Sequence, residues 1–447
     1  MVLNISLLKC LKQKVGNYFN IIAVESADFP NNFINIEIPL ISRLPIAFPQ
    51  VFFLLLSLLK KYYLFIYREF FSFSERRLQM KFTCEKHLLQ AACNIASRAT
   101  AAKSPIPALE GLLISADDKL TVKGYDLRKA IYTNIEADIV QRGNIVVGAR
   151  LFGEMIRRLP DGIVTISVDE KDNVNVSCGK SKFNILGISA EDYPELPRFD
   201  SENNISLPQK TLKSMINQSL FAVSQDEIRP IYTGSLFEVE AENLTIVSVD
   251  GYRLAKRVEK IEGANMNPCS FVVPGNTLSD IEKICQDGEE MLDISVGAKH
   301  ISFNLGETVV VSRRLEGEFL NYRKSIPENF KFELKVDKGE FLSSIDRVSL
   351  IVSDKNTSPV RMTLGDGSID CLCVTPIGRA EDVCTCEGDG QGMQIGFNDR
   401  YMKDALKAAS SDELLLCLNT PSSPCIIKSA DGSRNFEYMI LPVRLHA

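Results

Sequence analysis

The side chains able to do chemistry in this chain are few. Two Cys-x-Cys pairs stand out, Cys371/Cys373 and Cys384/Cys386. On strands, residues i and i+2 share a face, so a hairpin would bring the four sulfurs together as a zinc or disulfide site. The alternative is that they are small hydrophobes in adjacent strands, since zinc pairs usually have two or more residues between the ligands. The three histidines, His87, His300 and His446, have no second candidate ligand close by in sequence. Gly179-Lys180-Ser181 resembles the tail of a phosphate-binding loop, but Val174 stands where the leading glycine belongs. Gly388, Gly390 and Gly392 do not fit a dinucleotide fingerprint. Asp250, in Val249-Asp250-Gly251, is a lone carboxylate of the kind that shapes a turn. No metal, cofactor or catalytic group is expected from this set.

The elements that would position these residues repeat along the chain. Amphipathic helices are predicted at Lys86–Ala99, Gln209–Ser224 and Lys338–Val352, and a second set at Arg150–Leu159, Asn276–Cys285 and Asp399–Ala409. Leu212, Met215, Ile216, Leu220 and Val223 form one apolar stripe at helical spacing. Strands follow each helix. Leu236–Glu240 and Leu244–Ser248 read as a hairpin around Ala241-Glu242-Asn243, and Phe271-Val272-Val273 leads through Pro274 and Gly275 into a helix. Thr308–Val311 is a further apolar strand. Runs of strands with two helices per repeat imply α+β domains with antiparallel sheets. The expected divisions are 80–200, 205–326 and 328–447, with linkers near Phe199–Asn204 and Ile326–Phe330.

Residues 1–79 differ in composition. Leu44–Leu59 is uncharged but short of a membrane span, which needs about 20 residues, and it contains Pro45 and Pro49. The segment reads either as a membrane anchor or as an extension, disordered or arising from an upstream start, ahead of a protein that begins at Met80-Lys81-Phe82. The twelve cysteines are dispersed, as reduced thiols of a cytoplasmic protein would be. The formal charge of −6 gives no overall basic footprint. Charge is nonetheless uneven: the six helical segments together carry +4 and the strands and loops hold most of the acidic surplus. A basic helical surface with an acidic exterior suits a protein that surrounds DNA without locking to it.

Five segments, in order and at the expected spacing over residues 80–445, resemble the bacterial sliding clamp family, the beta subunits of DNA polymerase III. They are Met80-Lys81-Phe82, Val249-Asp250-Gly251-Tyr252-Arg253-Leu254-Ala255, Gly317-Glu318-Phe319-Leu320-Asn321-Tyr322-Arg323, Gly396-Phe397-Asn398-Asp399-Arg400-Tyr401 and the terminal Tyr438-Met439-Ile440-Leu441-Pro442-Val443-Arg444-Leu445. The resemblance implies three similar clamp domains per chain and a head-to-tail homodimeric ring, with helices lining the hole and sheet outside. It implies a non-catalytic processivity subunit. Its partners would be double-stranded DNA, the DNA polymerase III catalytic subunit, the clamp loader, and other polymerases and repair proteins carrying short clamp-binding motifs.

Carried over by position, the family's partner-peptide pocket falls on Tyr232, Val249, Gly251, Tyr252, Arg253, Leu254, Leu320, Lys324, Ser325, Tyr401, Pro424, Met439, Leu441, Pro442, Val443 and Arg444. Leu320 replaces a common proline, Ser325 an aliphatic residue and Tyr232 a leucine. Strand alternation would turn Met439, Leu441 and Val443 to one side, with Leu254 as the facing wall; the alternative is that Leu254, Met439 and Leu441 are simply core. DNA contacts fall on Lys103, Arg150 and Arg229, where the neighbouring Pro230 and Ile231 replace aromatic residues. At the ring joint, Phe183 and Ile185 would meet Leu350 and Ile351, and Lys180 and Lys182 would face Glu381 and Asp382. Two other readings stay open on the sequence: an enzyme acting on nucleic acid, and a membrane-anchored interaction protein.

Overall fold

The computed structural model describes residues 78–196, 203–261, 268–353, 358–433 and 435–445. The uncharged stretch at 44–59, most of the first linker and His446 lie outside the described residues.

Three domains follow one another on one plan: a strand, a helix, a run of strands, a second helix and three more strands. The first has β1 (Leu78–Glu85), α1 (Lys86–Ala96), β2 (Gly111–Ala116), β3 (Leu120–Tyr125), β4 (Lys129–Ile135), β5 (Asp138–Gln141), β6 (Gly143–Gly148), α2 (Ala149–Arg158), β7 (Ile163–Asp169), β8 (Asn173–Cys178) and β9 (Ser181–Leu186). The second has β10 (Asn203–Pro208), α3 (Gln209–Asn217), β11 (Gly234–Glu240), β12 (Asn243–Val249), β13 (Arg253–Lys260), β14 (Cys269–Pro274), α4 (Gly275–Ile284), β15 (Met291–Val296), β16 (His300–Leu305) and β17 (Thr308–Arg313). The third has β18 (Phe332–Asp337), α5 (Lys338–Val348), β19 (Val360–Thr375), β20 (Gly378–Phe397), α6 (Asp399–Ala408), β21 (Glu413–Leu418), β22 (Cys425–Ser429) and β23 (Phe436–Ile440).

Each helix pair exists to bury one stripe. In the first domain Leu89, Ala92, Cys93 and Ala96 of α1 and Phe152, Met155 and Ile156 of α2 recur at three- and four-residue spacing and close on a core with Phe82, Ile114, Ile166 and Val176. The same construction recurs around Phe237, Ile294 and Phe303 in the second domain and around Phe341, Phe397 and Tyr438 in the third. The first helix of each domain is shorter than its apolar periodicity suggests. The α-helix stops at Ala96, Asn217 or Val348 and a 3-10 turn follows at Ser97–Ala99, Leu220–Ala222 or Ser349–Ile351. The β11–β12 hairpin is also tighter than expected: Glu240 pairs with Asn243, leaving a two-residue turn in which Ala241 takes a positive φ of 53°.

The domains join strand to strand. Three sheets have the orders β5-β1-β7-β8-β9, β10-β15-β16-β17-β4-β3-β2-β6 and β14-β11-β12-β13-β23-β22-β21-β18-β20-β19. The second sheet crosses from the central to the N-terminal domain at β17–β4, and the third from the central to the C-terminal domain at β13–β23. Strand β9 ends its sheet. Among the described residues, Arg379–Thr385 of β20 ladders with Ser368–Val374 of β19 and with no other strand.

The cysteine hairpin is part of the third core. Cys371, Cys373 and Cys384 are buried beside Ile369, and Cys386 packs against the same cluster. Asp382 faces Cys371 across the ladder, while Cys384 faces Ile369. Burial pushes the Cys371 thiol up to about 11 and the Cys384 thiol up to about 12. The four side chains pack as small hydrophobes do.

Candidate functional site

The candidate site lies where the central and C-terminal domains share a sheet. It starts from the turn Asp250-Gly251-Tyr252-Arg253. The Asp250 carboxylate accepts hydrogen bonds from the amides of Tyr252 (2.9 Å) and Arg253 (3.0 Å), and from Arg253 Nε at 2.8 Å. Gly251 takes a φ of 93°, a conformation that favours glycine. The turn therefore fixes Arg253 and lifts Tyr252 outward. Arg253 Nη1 donates to Asp404 Oδ2 at 2.6 Å, and its guanidinium lies 4.4 Å from the Tyr401 ring centroid and 5.5 Å from that of Phe221. Tyr252 stacks on Tyr401 at 6.3 Å and stays 63% exposed. Asp404 and Tyr401 both come from α6, so one arginine ties the central domain to a helix of the next.

Beneath this rim, Val249, Leu254 and Met439 are buried together with Leu236, Val247, Val272, Tyr322 and Ile426. Leu254 and Met439 are cross-strand partners. Tyr232 packs on this cluster and meets the Phe319 ring edge-on at 5.5 Å. Leu320 and Val443 are exposed apolar residues and Leu441 and Pro442 are half-buried, so an apolar surface remains open above a closed floor. Lys324 and Arg444 are exposed and Ser325 and Pro424 half-buried; none of the four belongs to that cluster, although Tyr322, Ile326 and Ile426 on the same segments do.

Two expectations change. Leu254 is fully buried and forms floor, not a wall that a ligand would touch. Alternation also fails beyond Ile440, where the ladder ends. The Leu441 amide still donates to the Tyr252 carbonyl (2.9 Å), but after Pro442 the Val443 amide donates to Gly396 on β20 (2.8 Å). Proline has no amide to continue the ladder, so the chain crosses to the next strand. Met439 is thus nearly closed off while Val443 is 40% exposed. Asp404 and Phe221 were not singled out in the sequence, and Phe319 and Tyr322 stood only in the Gly317–Arg323 segment and not among the site residues. Asp404 could have been, because it is the sixth residue of its helix, as Asp280 is in α4.

The remaining site residues lie elsewhere. Lys103 and Arg229 are exposed on loops, and Arg150 is exposed on α2, where it lines an open cleft of about 540 Å³ with Asn94, Arg157 and Arg158. On β9, Phe183 is 43% exposed while Ile185 packs partly on its own core. Leu350 is 82% exposed and Ile351 packs against the third core. Lys180 sits in the turn with Gly179, and Lys182 is exposed on β9. Glu381 and Asp382 take opposite faces of β20. Glu381 pairs with Arg379, whereas Asp382 turns inward to Arg347.

Three domains of one build, chained through shared sheets with a helix pair behind each, define a clamp architecture. The family models for the N-terminal, central and C-terminal domains of the DNA polymerase III beta subunit match residues 80–197, 206–321 and 323–444. The chain is 31% identical over 378 residues to the beta sliding clamp of Staphylococcus aureus and 32% identical over 382 residues to that of Halalkalibacterium halodurans, each match covering 82% of this chain and 100% of the relative. The crystal structure of the DNA polymerase sliding clamp from Bacillus subtilis superposes with a TM-score of 0.79 at 31% identity, over 82% of this chain and 100% of that one. The chain belongs to the DNA polymerase III beta subunit family, the bacterial sliding clamps.

Proposed function

We propose that two copies of this chain close head to tail into a ring that encircles duplex DNA and tethers DNA polymerase III, making synthesis processive. The observation that carries this reading is the pair of open strand edges. β9, with Phe183 and Leu186 exposed, ends its sheet, and the β20 stretch Arg379–Thr385, with Val383 exposed, ladders among the described residues with β19 alone and leaves its other edge open. An unpaired apolar edge is a template for another chain. Two different edges on one chain close a two-membered ring when the contact is made twice.

The groove around Tyr252, Tyr401, Leu320, Leu441 and Val443 suits short apolar motifs of the polymerase catalytic subunit, the clamp loader and other polymerases and repair proteins. Lys103, Arg150 and Arg229 would face the phosphates. The subunit itself is read as non-catalytic, because the one carboxylate singled out, Asp250, is engaged by its own turn and by Arg253. Acting on chromosomal DNA, it would work in the cytoplasm. Among the described residues no helix is long and apolar enough to cross a membrane.

Enclosure needs little contact affinity, which gives the test. Loaded onto nicked circular DNA, the protein is expected to stay bound through a salt wash that strips ordinary binders, and to leave when the circle is linearised. Equal loss from both forms would mean that binding is electrostatic and that there is no ring.

A further inference from the structure

The two joints within the chain follow one register, and that register can be carried to the joint between copies. At the first joint Ile131 faces Val310 and Tyr132 faces Val309; at the second Ala255 faces Tyr438 and Lys256 faces Glu437. Each joint is anchored the same way. The Arg313 amide donates to Arg128 and the Leu441 amide to Tyr252, both at 2.9 Å. Two residues on, Leu315 donates to Val272 at 3.0 Å and Val443 to Gly396 at 2.8 Å. In the N-terminal domain the Ile188 amide makes that second bond to Val146, also at 2.8 Å. Ile188 therefore corresponds to Leu315 and Val443, which sets Phe183 with Val310 and Tyr438, and Lys182 with Val309 and Glu437. On the other side, the turns Asp126–Lys129 and Asp250–Arg253 close with the first amide donating to the fourth carbonyl, and Thr375 pairs with Gly378 at the same separation. Ala380 then corresponds to Ala255, and Glu381 to Lys256.

Laid edge to edge in this register, Ala380 faces Phe183 of a second copy, an aromatic ring on an alanine as Tyr438 is on Ala255. Glu381 faces Lys182 of that copy. At the internal joint the corresponding pair has the opposite polarity, Lys256 donating to Glu437 at 2.9 Å. We propose that this reversed cross-strand charge pair distinguishes the ring-closing joint from the internal one. Strand β9 laid on β13 would set Lys182 against Lys256, and the β20 edge laid on β23 would set Glu381 against Glu437. Each correct joint joins opposite charges, and each exchanged joint opposes like charges. The proposal rests on the ring reading above and adds to it the register and the discrimination.

Charge exchange tests it on the full chain. Both residues are exposed, so Lys182→Glu and Glu381→Lys leave the fold intact. Each variant alone puts like charges at both joints, and its dimer dissociation constant, measured by analytical ultracentrifugation, should rise about tenfold or more. Mixed in equal amounts, the two variants regain opposite charges at both joints of each mixed dimer: at one joint the two substituted positions meet with their charges exchanged, and at the other the unchanged Lys182 and Glu381 meet as in the wild type. Native mass spectrometry should then show mixed dimers well above random pairing. Oxidation of Asn184→Cys/Arg379→Cys should link copies, and of Asn184→Cys/Ala380→Cys should not, because only the first pair faces across the joint. Random pairing of the two charge variants, with wild-type dimers intact, would overturn the charge discrimination alone. A wild-type chain that stays monomeric at every concentration would overturn the ring reading, and this proposal with it.

Discussion

The two joints inside the chain share a backbone plan and differ in what they leave open. In each, an aspartate shapes the turn before a basic residue, Asp126 before Lys129 and Asp250 before Arg253. In each, that cation reaches an aspartate at the sixth position of the next domain's second helix, Asp280 or Asp404, 151 residues further along in both cases. At the first joint the pair is sealed. The Lys129 and Asp280 side chains are 5% and 14% exposed, Arg98 joins Asp280 at 3.5 Å, and Tyr125 and Tyr193 close an apolar cluster over β4 and β17. At the second joint the cation lies under Tyr401, and Tyr252 rises beside an open apolar surface. One connection is thus closed over by side chains, while its counterpart leaves open the apolar surface proposed above as the partner groove. The side chains, not the backbone, make the difference.

The largest expected contrast is in stability. Asp280→Ala leaves the Lys129 ammonium buried without its carboxylate, a loss on the order of 3–5 kcal/mol. Asp404→Ala leaves Arg253 with Asp250 at 2.8 Å, so the cost should be about 1–2 kcal/mol. Urea unfolding of both variants measures this, and equal losses would erase the distinction between a sealed and an open joint. Next comes binding. Tyr252→Ala should weaken a short glutamine-leucine-x-leucine-phenylalanine type peptide about tenfold, or about 1.4 kcal/mol. Its counterpart Arg128→Ala should leave that affinity unchanged. Fluorescence anisotropy with the two variants reads this directly, and a matching loss in both would mean that the groove is not at the second joint.

The smallest contrast is with pH. Burial alone would push the Glu437 carboxyl up, but hydrogen bonding and charge from Lys256 and Lys428 outweigh it and hold it below its usual 4.5. A lowered folded-state pKa gives stability that is present above the unfolded value and lost as pH falls through the folded one. Below about pH 4.5 the wild-type unfolding midpoint should therefore fall faster than that of Glu437→Gln. The first joint has Tyr132 and Val309 at the corresponding place and contributes no such slope. Parallel curves for the two proteins would show that the cross-strand pair adds nothing to the second joint.

Much of this was readable before any fold was known. Helix positions followed from apolar residues at three- and four-residue spacing, such as Leu212, Met215 and Ile216, because local burial imposes that period. The turn at Asp250 was readable because a carboxylate that caps its own following amides needs only neighbours in sequence. The 3-10 endings at Ser97–Ala99 and Ser349–Ile351 were not, since an apolar stripe continues through either kind of helix. Nor was the choice between wall and core for Leu254, or the departure of Val443 from the strand face. Both depend on what lies across the joint and on where Pro442 sends the chain.

By itself, the sequence determined three α+β repeats, the turn at Asp250-Gly251 and the family resemblance carried by five short segments. Only the tertiary structure decided that Lys129 is sealed and Arg253 lies beneath an open rim, that Asp382 turns inward while Glu381 stays on the outer face, and that four cysteines fill a core. The reason is range. Period and turn chemistry act over a few residues and leave their mark in the order of the chain. Exposure and charge pairing at a joint are set by side chains that meet from 151 residues apart.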